Sequence, residues 1–318
     1  MAQPLGAAPD GGAAVGGRCQ QRRHPVPLRH RARTETRGVN VIGLCTDSNA
    51  QLPPELVERY GVEVVPLTVT LDGDDFLEGV DLDADGFYAR FEHGVTQVST
   101  AAPSPGRFVL AYEALVERGA SEILSVHLGS SVSSTLDAAR VASRGAGVPV
   151  RLVDTGTASF GVACCVWEAA EAAAKGAGAE EAASVAEAVA ARTGNVFVVG
   201  ALELARSGGR LAAPSGSGGS AGIPVLTLAE GRMVPVGEVA TMDEAARVMA
   251  TTVRDAGTAL RVGLGIADAG AAPLWHALEA ALVDAPEVLE VVRYRIGPSV
   301  GAHTGPGSAG AIYYPSGV

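Results

Sequence analysis

Ile123-Leu124-Ser125-Val126-His127-Leu128-Gly129-Ser130-Ser131-Val132-Ser133-Ser134-Thr135 is the stretch that sets the fold. Ile123 to His127 is a short, mostly apolar run, which predicts a central strand of a sheet covered on both faces. Gly129 then breaks the run, and five hydroxyl residues follow within six positions. A helix is predicted from about 133 to 143. Strand, hydroxyl-rich loop and helix start make the crossover unit of an open α/β sheet, in which ligands gather at the carboxyl ends of the strands. The loop reads either as a serine-rich helix cap or as an anion site built on free amides and hydroxyls.

The same rhythm recurs on both sides. Val39 to Cys45 is a buried-strand candidate ended by Thr46-Asp47-Ser48-Asn49, any of the last three able to cap a helix from Pro53 to Tyr60. Val62 to Leu71 is a further strand region, and residues 84–93 and 105–118 read as helices. Val98 to Pro105 reads as a polar loop, with Thr100 or Ser104 as a cap. Val148 to Val153 is a strand ended by Asp154, and two Ala-rich helices follow, at 158–175 and 179–193.

Beyond them the pattern changes. Asn195 to Gly200 is a strand. Gly208-Gly209 ends a helical turn and places Arg210, which is either a solvated arginine or part of a site. Ile223 to Leu228 and Met233 to Val236 flank Glu230-Gly231, a hairpin signal. Met242 to Ala256 and Leu274 to Asp284 are helices, and Val262 to Ala267, Val288 to Ile296 and Ala311 to Tyr314 are strands. The expected fold is α/β in two domains, a parallel-sheet domain at 39–160 and a mixed α/β domain at 161–318. Residues 1–38 are expected to be a disordered basic tail, and 212–222 a flexible low-complexity segment.

Composition narrows the function. The chain has 318 residues and a net charge of −11, although residues 1–38 carry seven Arg against Asp10 and Glu35. The acidic remainder argues against nucleic acid as a partner. Hydrophobic content is 47%, but charged residues and glycines interrupt every run before the roughly 18 to 20 residues of a spanning helix, so no stable membrane insertion is expected. The four cysteines, Cys19, Cys45, Cys164 and Cys165, lack metal-ligand spacing and read as small buried apolar residues of a reducing compartment.

Arg295 to Gly307 (RIGPSVGAHTGPG) is a Gly/Pro-dense segment with His303 and Thr304 at its centre. It is either a turn between strands or a shaped loop whose amides, imidazole and hydroxyl converge on a small anion. No GxSxG, HExxH or phosphate-loop motif accompanies it. A hydrolytic or acyl-transfer site using Ser133 and His303 needs an orienting carboxylate, which sequence does not locate. A binding site for a carboxylate is simpler, with the alkyl tail in an apolar crevice.

In order along the chain, Thr46-Asp47-Ser48, Thr100-Ala101-Ala102-Pro103-Ser104, Gly129 to Thr135, Val153-Asp154-Thr155, Ser207-Gly208-Gly209-Arg210-Leu211 and Gly297 to Gly307 resemble the motifs of the DegV family. These are fatty-acid-binding proteins of bacteria that include the FakB subunits of fatty acid kinase. The resemblance implies a cytoplasmic lipid carrier without catalysis or cofactor of its own. It implies one long-chain fatty acid held between two domains, its carboxylate gripped by Thr100, Ser133 and His303 with Ser130 and Thr304 beside them. Arg210 would meet an ATP-dependent fatty acid kinase, which makes an acyl phosphate for phospholipid synthesis. Ala101-Ala102 and Ser131 and Ser134 depart from the family pattern, the former removing polar side chains beside the head group.

Overall fold

The computed structural model describes residues 41–211 and 222–317. The expectations placed on residues 1–38 and on 212–221 lie outside them. The fold is α/β, with a parallel sheet in its first part and a mixed sheet in its second.

The parallel sheet has the order β2-β1-β6-β7, from β1 (Ile42–Asp47), β2 (Glu63–Val65), β6 (Glu122–His127) and β7 (Val150–Asp154). β1 and β6 are buried along almost their whole length, as apolar runs without alternation predict. Helices α3 (Pro105–Glu117) and α4 (Thr135–Ser143) cover one face, where Phe108, Tyr112 and Ala139 pack on Cys45 and Ile123. On the other face lie α5 (Phe160–Ala174) and α6 (Ala179–Ala190). α1 (Pro54–Tyr60) follows β1, with Pro53 in its cap position; Asp47, Ser48 and Asn49 do not cap it, because Ser48–Ala50 first make a 3-10 turn.

α5 is apolar apart from Glu168 and Glu171, and ten of its fifteen residues are buried. Its core also takes Ile312 and Tyr314 from the second sheet. Cys164 and Cys165 are buried there, and Cys45, Cys164 and Cys165 are free thiols.

The mixed sheet has the order β10-β9-β8-β13-β11-β12, from β8 (Gly194–Val198), β9 (Ile223–Ala229), β10 (Arg232–Val239), β11 (Leu260–Ile266), β12 (Val288–Arg295) and β13 (Ala309–Pro315). α8 (Met242–Arg254) and α9 (Ala272–Leu282) cover its outer face. Glu230 and Gly231 both have positive φ, 50° and 76°, so the hairpin signal there makes the tight turn between β9 and β10. β10 is an edge strand, its pairing with β9 shifts register between Pro235 and Gly237, and Val234 and Val236 face solvent.

A small antiparallel sheet, β4-β3-β5, is inserted in sequence between β2 and β6 of the parallel sheet; β3 is Thr68–Leu71, β4 Asp74–Leu77 and β5 Val98–Ala101. Two expectations are corrected here. The Val62–Leu71 region is two strands in different sheets, split at Pro66-Leu67, and Thr100 stands on a strand, paired with Val69, rather than in a loop. α2 (Ala84–Glu92) packs against this sheet through Phe87 and Tyr88. The remaining helices are short: α7 (Leu202–Ser207) and α10 (Pro298–Thr304). α10 corrects the reading of Arg295 to Gly307 as an irregular loop. Pro298 starts this helix in the first-turn position where its missing N–H costs nothing, and His303 stands in the last turn.

Candidate functional site

The carboxyl ends of β1, β6 and β7 open onto the inner face of the mixed sheet, and α10 runs alongside. Together they enclose a cavity of about 460 Å³, within the usual range for ligand pockets. Most of its wall is apolar, including Leu67, Leu128, Phe197, Leu228, Met233 and Ile312. Thr100, Ser133, Arg210, His303 and Thr304 all line it, so five of the six predicted site residues come together. Ser130 does not: its side chain is exposed and its N–H donates to Asp154 Oδ1 at 3.0 Å.

Thr100 Oγ1 and His303 Nε2 lie 3.1 Å apart. The other ring nitrogen, Nδ1, is buried without a hydrogen-bond partner. Burial, first, and the Arg210 charge lower the His303 pKa to about 4, so the imidazole is neutral at pH 7. Arg210 donates to the Val132 carbonyl, and among the described residues no carboxylate pairs with it. Its guanidinium lines the cavity.

Ser133 shares a 2.8 Å hydrogen bond with Thr135 Oγ1 and accepts the Thr135 N–H at 3.2 Å. With Thr135 as donor in the first contact, the Ser133 proton is free for a ligand. Ser133 thus braces the start of α4 and lines the cavity at once, while Ser134, in the cap position, makes no side-chain cap bond. Thr304 does not offer its hydroxyl, which donates to Val300 O at 3.2 Å within α10.

Several backbone amides of both loops are already engaged within the protein. Ser299 N–H donates to Glu78 Oε1 at 2.8 Å and Gly307 N–H to Asp268 Oδ1 at 3.0 Å. The amides of Gly129, Val132 and Ser133 go to carbonyl oxygens. Four side chains of the cavity wall can receive an anion: the Thr100 and Ser133 hydroxyls, the neutral His303 imidazole and the Arg210 guanidinium.

The Ser133–His303 pairing of a hydrolase does not form: His303 Nε2 meets Thr100, and no carboxylate orients Nδ1. A Ser–His–Asp relay does exist elsewhere, unforeseen in the sequence. Ser125 Oγ lies 2.6 Å from His127 Nε2, and His127 Nδ1 lies 2.9 Å from Asp47 Oδ2. All three side chains are fully buried under Phe108 and Tyr112, and none lines the cavity. The relay ties β1 to β6.

Sequence reasoning also missed Asn49 and Ser159 as cavity residues. Ser159 holds φ 59° and ψ −148°, a region nearly reserved for glycine, with its N–H on Asn49 Oδ1 and its hydroxyl on Gln51 Oε1. Positive φ at a serine has no sequence signal.

An open parallel sheet, a second mixed sheet and a mostly apolar cavity between them with a small polar cluster define an α/β protein built to enclose a ligand. The chain belongs to the DegV family, whose model matches residues 41–316. It is 35% identical over 274 residues to a DegV domain-containing protein of Streptomyces coelicolor, covering 85% of this chain and 97% of that one. A DegV family protein from Thermus thermophilus, whose structure is described as showing fatty acid binding, superposes with a TM-score of 0.77 at 30% identity, covering 86% of this chain and 99% of that one. DegV of Bacillus subtilis, described as a fatty acid binding protein, shares the fold with a TM-score of 0.76 at 24% identity, over 87% and 99% of the two chains. No helix among the described residues is long and apolar enough to cross a membrane.

Proposed function

We propose that this chain binds one long-chain fatty acid, with the acyl tail in the cavity and the carboxylate against Thr100, Ser133 and His303. The observation that carries the reading is the Thr100–His303 contact at the wall of a mostly apolar cavity. Hydroxyl and imidazole donors suit a carboxylate, and its charge is partnered by Arg210 rather than left buried alone. The fatty acid binding described for the Thermus thermophilus relative supports it.

In this reading the protein is a cytoplasmic carrier that needs no cofactor and performs no chemistry. It presents the carboxylate to a separate ATP-dependent fatty acid kinase, with Arg210 at the contact, for acyl-phosphate formation. Native mass spectrometry after mild purification tests the binding step. A co-purifying long-chain fatty acid is expected; no adduct even after incubation with excess oleate and palmitate overturns it. Acyl-phosphate formation only when kinase, ATP and the loaded protein are combined tests the presentation step, and acyl-ester turnover by this protein alone would favour an enzyme instead.

A further inference from the structure

Glu78 follows β4, is 5% exposed and does not line the cavity. Its Oε2 accepts from the Ser48 hydroxyl, which in turn accepts the Leu67 N–H at 2.9 Å. Its Oε1 accepts the N–H of Ser299, 221 residues further on, in the first turn of α10. Asn49 Nδ2 donates to Ser299 Oγ at 3.1 Å, and a methyl group on Gly297 would lie 2.7 Å from Glu78 Oε1. The start of α10 is thus seated directly on this carboxyl group.

The end of α10 is held by the same small sheet. β3 pairs with β4 through Thr68 and Leu77, and with β5 through Val69 and Thr100. Thr100 meets His303 in the last turn of the helix. One three-stranded sheet therefore grips α10 twice, by Glu78 at its start and by Thr100 at its end. Burial raises the Glu78 pKa, so the folded protein bears the cost of a desolvated carboxyl group where an apolar side chain would pack without it.

We propose that Glu78 is the positioning residue of the cavity's polar end, seating the first turn of α10 on the small sheet and so setting the reach between His303 and Thr100. Its ligand consequence rests on the fatty-acid reading above; its structural consequence does not. The test is Glu78→Gln, which keeps the volume and one acceptor. In the ligand-free protein the imidazole resonances of His303 are expected to shift in proton–nitrogen spectra while thermal unfolding stays cooperative. The oleate Kd is expected to rise roughly three- to tenfold, the scale of one weakened hydrogen bond. In a His303→Ala background the same substitution is expected to change Kd less than about twofold, since the two residues act as one unit. Unmoved His303 resonances, or a full additional loss of affinity in the His303→Ala background, overturn the proposal. A wild-type protein that binds no oleate refutes the functional reading but leaves the imidazole readout intact. Should Glu78→Gln fail to fold, Ser48→Ala, which removes the carboxyl group's hydroxyl donor, is read by the same spectra and the same cycle.

Discussion

A methyl group added to Gly208 would lie 2.5 Å from Nδ1 of His303. The Gly208-Gly209 turn after α7 is therefore a lid on the imidazole, and it explains why that nitrogen is buried without a partner. Gly208 has an ordinary φ of −75°, so close approach, not backbone conformation, requires glycine there. Gly208→Ala is expected to displace the imidazole from Thr100 and weaken fatty-acid binding by roughly tenfold, with little change in folding. Calorimetric titration with oleate beside a thermal melt checks both halves.

Acid should act through the same ring. An unfolded histidine takes its proton near its ordinary 6.5, whereas His303 in the fold resists it down to about 4. The unfolded state then binds more protons in that window, so stability is full above about 6.5 and falls as pH drops toward 4. Between pH 6.5 and 5 the loss is expected to be about 1–2 kcal/mol. His303→Asn should flatten this part of the profile, as urea unfolding of both proteins across the range would show.

A bound carboxylate reverses that pressure, because a neighbouring negative charge favours the protonated ring. Fatty-acid binding at pH 6 is expected to draw a proton from the buffer. Titrations in two buffers of different ionisation enthalpy reveal the uptake; identical apparent enthalpies would mean that the head group does not reach His303.

Ser133→Ala and His303→Ala are each expected to weaken fatty-acid binding by about 1–3 kcal/mol, the worth of a donor to a desolvated carboxylate. Thr304→Val should leave affinity within about twofold, because the Thr304 hydroxyl is spent on Val300 O. Unchanged affinity in both Ser133→Ala and His303→Ala refutes the assigned head-group contacts.

The buried relay separates stability from binding. His127→Leu leaves Asp47 a buried carboxylate without its main partner and is expected to cost about 3–5 kcal/mol in unfolding free energy. The oleate Kd of the remaining folded protein should be unaltered, since none of the relay residues lines the cavity. Chemical denaturation and a binding titration on the same preparation distinguish the two.

Much of this architecture was legible in the sequence. Ile123 to His127 reads as a buried strand because both faces demand apolar residues, and Glu230-Gly231 reads as a hairpin because few pairs tolerate two positive φ values. The family resemblance implied that Thr100, Ser133 and His303 are neighbours, and all three line one cavity. α10 was hidden because seven residues with Pro298 and Gly301, flanked by Gly297 and Gly305, carry no helical period. Ser130 was misjudged because a run of serines does not say which one faces inward. Glu78 was invisible because its meaning lies in the Ser299 amide, far along the chain.

The outer rim of the mixed sheet has one further consequence. β10 is the outer strand of the sheet; Leu211 bridges to its edge at Met233, and the exposed side chains of Val234 and Val236 lie just beyond, an arrangement that invites a second chain to add itself. Pro235 has no N–H to give, and the register slip before Gly237 interrupts the ladder that an incoming strand would have to match. The irregularity works against fibril-like stacking, because a strand added along that edge would meet a missing donor and a broken register.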